Sequence, residues 1–341
     1  MAAASIKDVA RRAGVSVGTV SNVLNRPDRV STTTVDRVRA AIDALGFVRN
    51  DAARQLRVGR SSTVGLIVLD VRNPFFTELA RGAEDRAAAA GLSILLGNSD
   101  DDPTREAAYL DLFEEQRVHG VLISPIGDVT ERLQRLRDRG TPAVLVDRSG
   151  DDTGFSSVSV DDIAGGYLAV RHLIELGRTR IAYLGGSLAV RQETDRLEGA
   201  RRAVAESPGV TLEVISAGGL TVIDGRRAGD EIAARPTAQR PDALFTVNDL
   251  MAVGVLQALV MSGRLRVPDD IALVGFDDID FASAAIVPLT SVRQPSHLIG
   301  ATALELLLDA AADPPVAPRD VVFQPELVVR ASSGTPAPKV L

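Results

Sequence analysis

The chain has 341 residues, 45% of them hydrophobic, which is long for one domain and enough apolar material for two or three cores. It has no cysteine and only three scattered histidines, His119, His172 and His297. That excludes a disulfide framework, a thiol nucleophile and a thiolate metal site, and it argues against a histidine metal site. The net charge of −7 conceals a split: residues 1–60 carry 11 basic against 5 acidic side chains, and the remainder is strongly acidic. Attraction for phosphate is therefore concentrated at the N-terminal end.

Residues 6–25, IKDVARRAGVSVGTVSNVLN, read as two short helices with a tight turn. Ile6, Val9, Ala10 and Ala13 repeat at helical spacing, and Gly14 can take the left-handed conformation of a helix end. Ser16 offers an N-cap hydroxyl to a second helix that buries Val20, Val23 and Leu24. Two short helices about a glycine-containing turn form the DNA-reading helix-turn-helix pattern; the bland alternative is a helical hairpin that merely packs. A third helix is expected over 31–45, with Val35, Val38, Ala41, Ile42 and Leu45 inward and Gly46 as its stop. Three such helices would make a headpiece near the lower size limit for independent stability, suited to work as half of a dimer. No apolar run approaches membrane-spanning length, and Arg11 and Arg12 interrupt any leader-like core, so a cytoplasmic protein is expected.

Residues 50–59, NDAARQLRVG, carry helix formers with Arg54 and Arg57, and 59–62 read as a flexible joint. One or two turns are marginal as an isolated helix, so this segment is expected to form only when docked. From 63 onward, short β-rich runs at 64–69, 92–96, 121–123, 143–146, 181–184, 212–215, 243–246 and 271–275 alternate with helical segments at 74–90, 164–176 and 250–262. That alternation indicates parallel sheets covered on both faces, and the length suggests two of them, with a break near 156–161.

Ligands of open parallel sheets bind beyond the carboxyl ends of the strands. The residues there are Asn73, Phe75 and Phe76, then Ser124, then Asp147 and Arg148. Gly185 and Gly186 follow the next strand, with Arg196 beyond them, then Asn248 and Asp249, Asp277 and Asp278, and Gln294 after an extended stretch. Any one of these could be a helix cap or turn residue. Together they suit a small neutral polyhydroxy ligand: carboxylates and amides take hydroxyls in pairs, and aromatic rings cover C–H faces. Asp277–Asp278 reads as one ligand acceptor plus one cap or surface residue. No nucleophile elbow, P-loop or G-x-G-x-x-G is present, so no enzyme, cofactor or metal site is expected.

These motifs, together with LRVG, NPFF, VDR at 146–148, FTVND at 245–249 and VGFDD at 274–278, resemble the LacI/GalR bacterial transcription regulators over nearly the whole chain. The resemblance implies an N-terminal all-α helix-turn-helix headpiece (1–47), a hinge helix and linker (48–62), and an α/β periplasmic-binding-protein-like core of two parallel-sheet subdomains (63–333). The N-subdomain would span about 63–158 and 290–323, the C-subdomain about 159–289 and 324–333, with 334–341 as a tail. It implies a dimer, tetramers also being known in the family, on a palindromic double-stranded operator. Val17, Gly18 and Asn22 match positions that read base edges; Thr19, Ser21 and Asn25 match phosphate contacts, and Ser16 and Arg54 complete the DNA-binding set. Leu56 matches the wedge that enters the minor groove.

In the core, Asn73, Phe75, Phe76, Asp147, Arg148, Arg196, Asn248, Asp277 and Gln294 match sugar-contacting positions of the ribose-binding members. Two departures stand out: Ser124 replaces an asparagine, and residues 221–223 lack the aromatic that closes their pocket. The implied function is a sugar-induced repressor, ribose being the first candidate. The alternatives are a regulator dependent on a purine or nucleoside co-repressor, and a sugar-binding transport protein.

Overall fold

The computed structural model describes residues 4–47, 61–150, 153–186, 190–261, 263 and 265–334. The expected hinge helix, with Arg54 and Leu56, lies outside the described residues, as does the side chain of Asn25. The chain forms two compact units, Met1–Ser61 and Ser62–Leu341.

In the first unit, α1 (Ile6–Ala13) starts at a capping box. Asp8 donates its backbone N–H to Ser5, and its carboxylate accepts from the Ser5 N–H. It ends at Gly14 with φ 63°. Ser16 Oγ caps α2 (Val17–Asn25) by accepting from the Thr19 N–H at 3.1 Å. Helix α3 (Thr32–Leu45) ends at Gly46, φ 57°. Val9, Ala10, Ala13, Val20, Val23, Val35, Val38 and Ala41 form the core between them.

The second unit contains two six-stranded sheets. In chain order the elements are β1 (Thr63–Val68), α4 (Pro74–Ala89), β2 (Ser93–Asn98), α5 (Pro103–Glu115), β3 (Val121–Ile123), α6 (Thr130–Asp138), β4 (Ala143–Val146) and β5 (Ser156–Val160). Then follow α7 (Asp162–Glu175), β6 (Arg180–Gly185), α8 (Arg191–Ala205), β7 (Thr211–Ser216), α9 (Val222–Ala234), β8 (Ala243–Thr246), α10 (Asp249–Met261) and β9 (Ala272–Asp277). Last come α11 (Asp280–Ala284), β10 (Thr290–Arg293), α12 (Ser296–Ala311), β11 (Asp320–Phe323) and β12 (Glu326–Val328). The first sheet runs β11-β5-β4-β3-β1-β2 and is parallel throughout; the second runs β12-β10-β9-β8-β6-β7, with only β12 antiparallel. Strands such as β3, β4, β8 and β9 are buried at every residue, which is why they read as unbroken apolar runs.

Two differences from the sequence expectation bear on the site. Residues 156–160, expected at the break, are instead a buried strand, SSVSV; its alternating serines conceal it, and the crossing follows at Asp161. Residues 290–293, expected in the N-subdomain, are β10 and pair with β9 in the second sheet. The chain recrosses only at Gln294–Pro295, because the ladder holds it through Arg293. A third crossing joins β11 to β12.

Three helix pairs approach so closely that glycine is needed at each contact. A Cβ on Gly82 would lie 1.9 Å from the His297 carbonyl oxygen, and one on Gly300 would lie 1.9 Å from that of Leu79, joining α4 to α12. Gly166 and Gly199 do the same for α7 and α8, and Gly225 and Gly254 for α9 and α10.

Candidate effector-binding site and DNA-reading surface

A cavity of about 50 Å³ lies at the carboxyl ends of the strands, lined from both sheets. From the first sheet's side come Leu69, Asn73, Phe75, Phe76 and Asp147; from the second come Val190, Gln192, Glu193, Arg196, Leu220, Val247, Asn248 and Asp277. The order of elements explains the convergence. Asn73 caps α4 by accepting from the Phe75 N–H at 3.0 Å, which sets both rings at the helix start, 5.0 Å apart and edge to face. Asp147 immediately follows β4 and Asp277 ends β9, with φ of 57° and 108°. Such backbone is uncommon outside glycine, and it turns both carboxylates into the cleft.

Arg196 is the electrostatic centre. It is 6% exposed, donates Nε to Asp162 at 2.7 Å and Nη1 to the Val247 carbonyl at 2.7 Å, and stacks over Phe276 at 3.7 Å. Its Nη1 lies 3.9 Å from Asp277, whose oxygens also accept from Asn73 at 2.9 Å and Gln294 at 2.8 Å. Gln192 donates Nε2 to Asp147 Oδ2 at 2.9 Å and to its main-chain oxygen. Two buried oxygens of lining residues, Asp147 Oδ1 and Gln192 Oε1, have no hydrogen-bond partner among the described residues.

Three buried carboxylates share one guanidinium, and their titration reflects it. Burial first, then Asp162, pushes Asp147 up to about 8; burial pushes Asp162 up to about 6, against the pull of Arg196. Asp277 is raised by burial, and Asp249, behind it at the start of α10, is raised further by burial and by Asp277. A carboxylate whose folded pKa is raised favours the folded state while protonated, and that stabilisation is lost as pH climbs through the folded value. The exposed carboxylates Asp8, Asp128 and Asp270 have lowered pKa values, through hydrogen bonds from Ser5, Thr130 and Arg266, and so act in the opposite sense and only in the acid range. The melting temperature of the protein is therefore expected to fall between pH 6.5 and 8.5, and a series of melts in matched buffers measures it. Asp147→Asn should flatten that slope.

Most of the residues singled out from sequence meet at this cavity: Asn73, Phe75, Phe76, Asp147, Arg196, Asn248 and Asp277 line it. Gln294 stands behind, holding Asp277. Two do not line it. Arg148 donates to the Gly127 carbonyl, and Ser124 is fully buried with no partner for its hydroxyl among the described residues. Asp278 is neither a cap nor a surface residue: its side chain is 4% exposed and accepts from Arg293 and Arg330. Reading only the residues after strand ends missed Gln192 and Glu193, in the first turn of α8. The usable signal was helical spacing: Gln192 is four residues before Arg196 and shares its face.

In the headpiece, Val17 and Gly18 in the first turn of α2 and Asn22 one turn later are exposed; Val17 is 39% exposed despite being apolar. Ser16 Oγ is occupied as the cap and by the Thr19 hydroxyl at 2.9 Å. Thr19 and Ser21 are half-buried beside it.

Residues 5–50 match the bacterial regulatory proteins of the lacI family, and residues 170–333 match a periplasmic binding protein-like domain. The HTH-type transcriptional repressor PurR of Aliivibrio fischeri (strain MJ11) is 35% identical over 332 residues, 96% of this chain and 98% of the relative. The chain belongs to the LacI family. As a member, it is a DNA-binding transcriptional regulator that responds to a small-molecule effector. Regulators of this family are dimeric and bind operator DNA. Among solved structures, the lac repressor dimer bound to operator and the anti-inducer ONPF superposes with a TM-score of 0.82 at 28% identity, over 98% of this chain and 100% of that one. A LacI-family regulator from Enterococcus faecium with bound ribose superposes at 0.72 and 27% identity, over 81% of this chain and 99% of that one. No helix among the described residues is long and apolar enough to cross a membrane.

Proposed function

We propose that this regulator is a cytoplasmic repressor of sugar-utilisation genes, released from a palindromic operator when a small neutral sugar, ribose or a close relative, fills the cavity. The observation that carries the reading is the pair of buried oxygens without a partner among the described residues, the Gln192 Oε1 acceptor and Oδ1 of the largely neutral Asp147 carboxyl, in a wall that also holds Asn73, Asn248 and Asp277. A buried polar atom left unmet costs about 1–3 kcal/mol, so the fitting ligand donates to Gln192 and both donates and accepts at the Asp147 carboxyl, as the hydroxyls of a polyol do. Among the described residues the carboxylates lining the cavity outnumber its one arginine, Arg196, which also disfavours an anion. At about 10–15 Å³ of such space per water, a cavity of about 50 Å³ is on the scale of one sugar ring rather than two. In this reading Asn73, Phe75, Phe76, Asp147, Arg196, Asn248 and Asp277 touch the sugar, and Gln294 positions Asp277. Val17, Gly18 and Asn22 read base edges, and Ser16, Thr19 and Ser21 set the register on phosphates.

A purine-responsive regulator is the second reading, favoured by the PurR relatives. Against it, a base needs cover on both flat faces. Here the aromatic pair covers one side, and the second sheet contributes the aliphatic Val190, Leu220 and Val247. A thermal-shift screen against pentoses, hexoses, purine bases and nucleosides decides between them. A ligand binding only the native state at 100 times its Kd adds about 2.7 kcal/mol. A midpoint that rises with a sugar supports the sugar reading; one that rises only with a purine replaces it. Operator affinity measured with and without that ligand then gives the sign, because the two must weaken or strengthen each other equally.

A further inference from the structure

Asp277 and Asp278 are adjacent, but they serve different structures. Asp277 faces the cavity. Asp278, with φ 55°, faces away and accepts from Arg293 Nε at 2.7 Å and Arg330 Nη1 at 2.6 Å. Both arginines flank the crossings on the second-sheet side. Arg293 is the last residue of β10, immediately before the chain recrosses at Gln294–Pro295, and its Nη1 reaches Glu326 at the start of β12, just past the third crossing. Arg330 follows β12 and also donates to the Leu289 carbonyl at 2.8 Å, ahead of β10. Arg293 and Gln294 are consecutive, and extended residues project alternately: Arg293 takes Asp278 while Gln294 takes Asp277. Ser291, also on β10, accepts from the Asp278 N–H at 3.0 Å and donates to Asp249 at 2.7 Å. One turn after β9 therefore grips two of the three inter-sheet crossings on one side and presents a cavity carboxylate on the other.

We propose that Asp278 is a hinge clamp: a positioning residue that, through Arg293 and Arg330, locks the second and third crossings to the turn that presents Asp277, so that the cavity and the hinge move as one. Opening and closing a cleft concentrates its backbone change in a few residues at such crossings. A clamp of two buried-end ion pairs restricts that change, and arginine's rigid fork makes lysine a poor substitute. The inference rests on reading the cavity as the effector site, but its test needs no effector, so failure of a sugar screen and failure of the clamp are separately visible.

The chain has no cysteine, so two introduced ones can be spin-labelled without background. Cysteines at Arg135 in α6 and Arg202 in α8, both 56% exposed, place one label on each side of the cleft of the full-length protein. In an Asp278→Asn background the inter-label distance distribution is expected to broaden at least twofold. Amides in residues 290–294 and 326–330 should exchange at least tenfold faster, with β1 and β8 unchanged. Arg330→Lys should do the same more weakly, and it carries the test if Asp278→Asn fails to fold. An unchanged distribution overturns the clamp. So does broadening accompanied by faster exchange throughout the core, which would mean that Asp278 is merely structural.

Discussion

Arg196→Met is expected to abolish the effector response and to destabilise the core by about 3–5 kcal/mol. The reason is what remains behind. Methionine fills much of the volume and keeps contact with Phe276, but Asp162 and Asp277 stay buried without their cation. Removing one partner of a buried ion pair costs far more than the pair itself contributes, because the other partner's charge is left without compensation. The Val247 carbonyl also loses its donor. Denaturant midpoints with an unchanged m-value would measure the loss, and a thermal-shift titration would show the missing ligand response. Arg191→Met is the control. Its side chain is 52% exposed and its partner is Asp195 one turn on, a surface pair worth a few tenths of a kcal/mol. If the two variants unfold at the same midpoint, the buried charge cluster does not hold the site together. Asp147→Asn should spare stability at neutral pH, since that carboxyl is already largely protonated there.

Gly166→Ala is expected to cost about 2–3 kcal/mol, although alanine is the better helix former by about 1 kcal/mol. The sign is decided by space. A Cβ at Gly166 in α7 would sit 2.0 Å from the main-chain oxygen of Arg196 in α8, and backbone on both sides leaves nothing soft to yield. The helices must separate, and their separation moves Asp162 from Arg196, a 2.7 Å contact spanning the same pair. Ligand affinity is therefore expected to fall with stability, through a residue that does not line the cavity. A urea titration with a parallel ligand titration checks both. Gly127→Ala, where a Cβ meets nothing within 4 Å, should stay within about 0.5 kcal/mol of the parent. A Gly166→Ala protein as stable as the parent would show that the helices part at no cost.

Much of this protein was legible in the sequence because local chemistry marks it. The headpiece helices are set by their own caps and apolar spacing, with Ser16 before α2 and Gly14 and Gly46 closing α1 and α3. The fully buried strands show as apolar runs, and the residues just after them include most of the cavity wall, because a parallel sheet puts its carboxyl ends at one edge. What misled was also local. Strand β5 alternates serine with valine, and nothing in residues 290–293 says to which sheet they add.

Only the tertiary structure could decide the pairings that depend on distant parts of the chain meeting. Arg148 and Ser124 follow strands as Asp147 does, yet one turns to the Gly127 loop and the other is buried off the cavity. Gln192 reaches Asp147 across the cleft, and Asp278 is captured by two arginines that flank the crossings, one of them 52 residues further on. Periodicity and capping act over a few residues, so a sequence can state them. Which buried carboxylate meets which cation is set by how two sheets are threaded three times through one another, and that is a property of the folded chain alone.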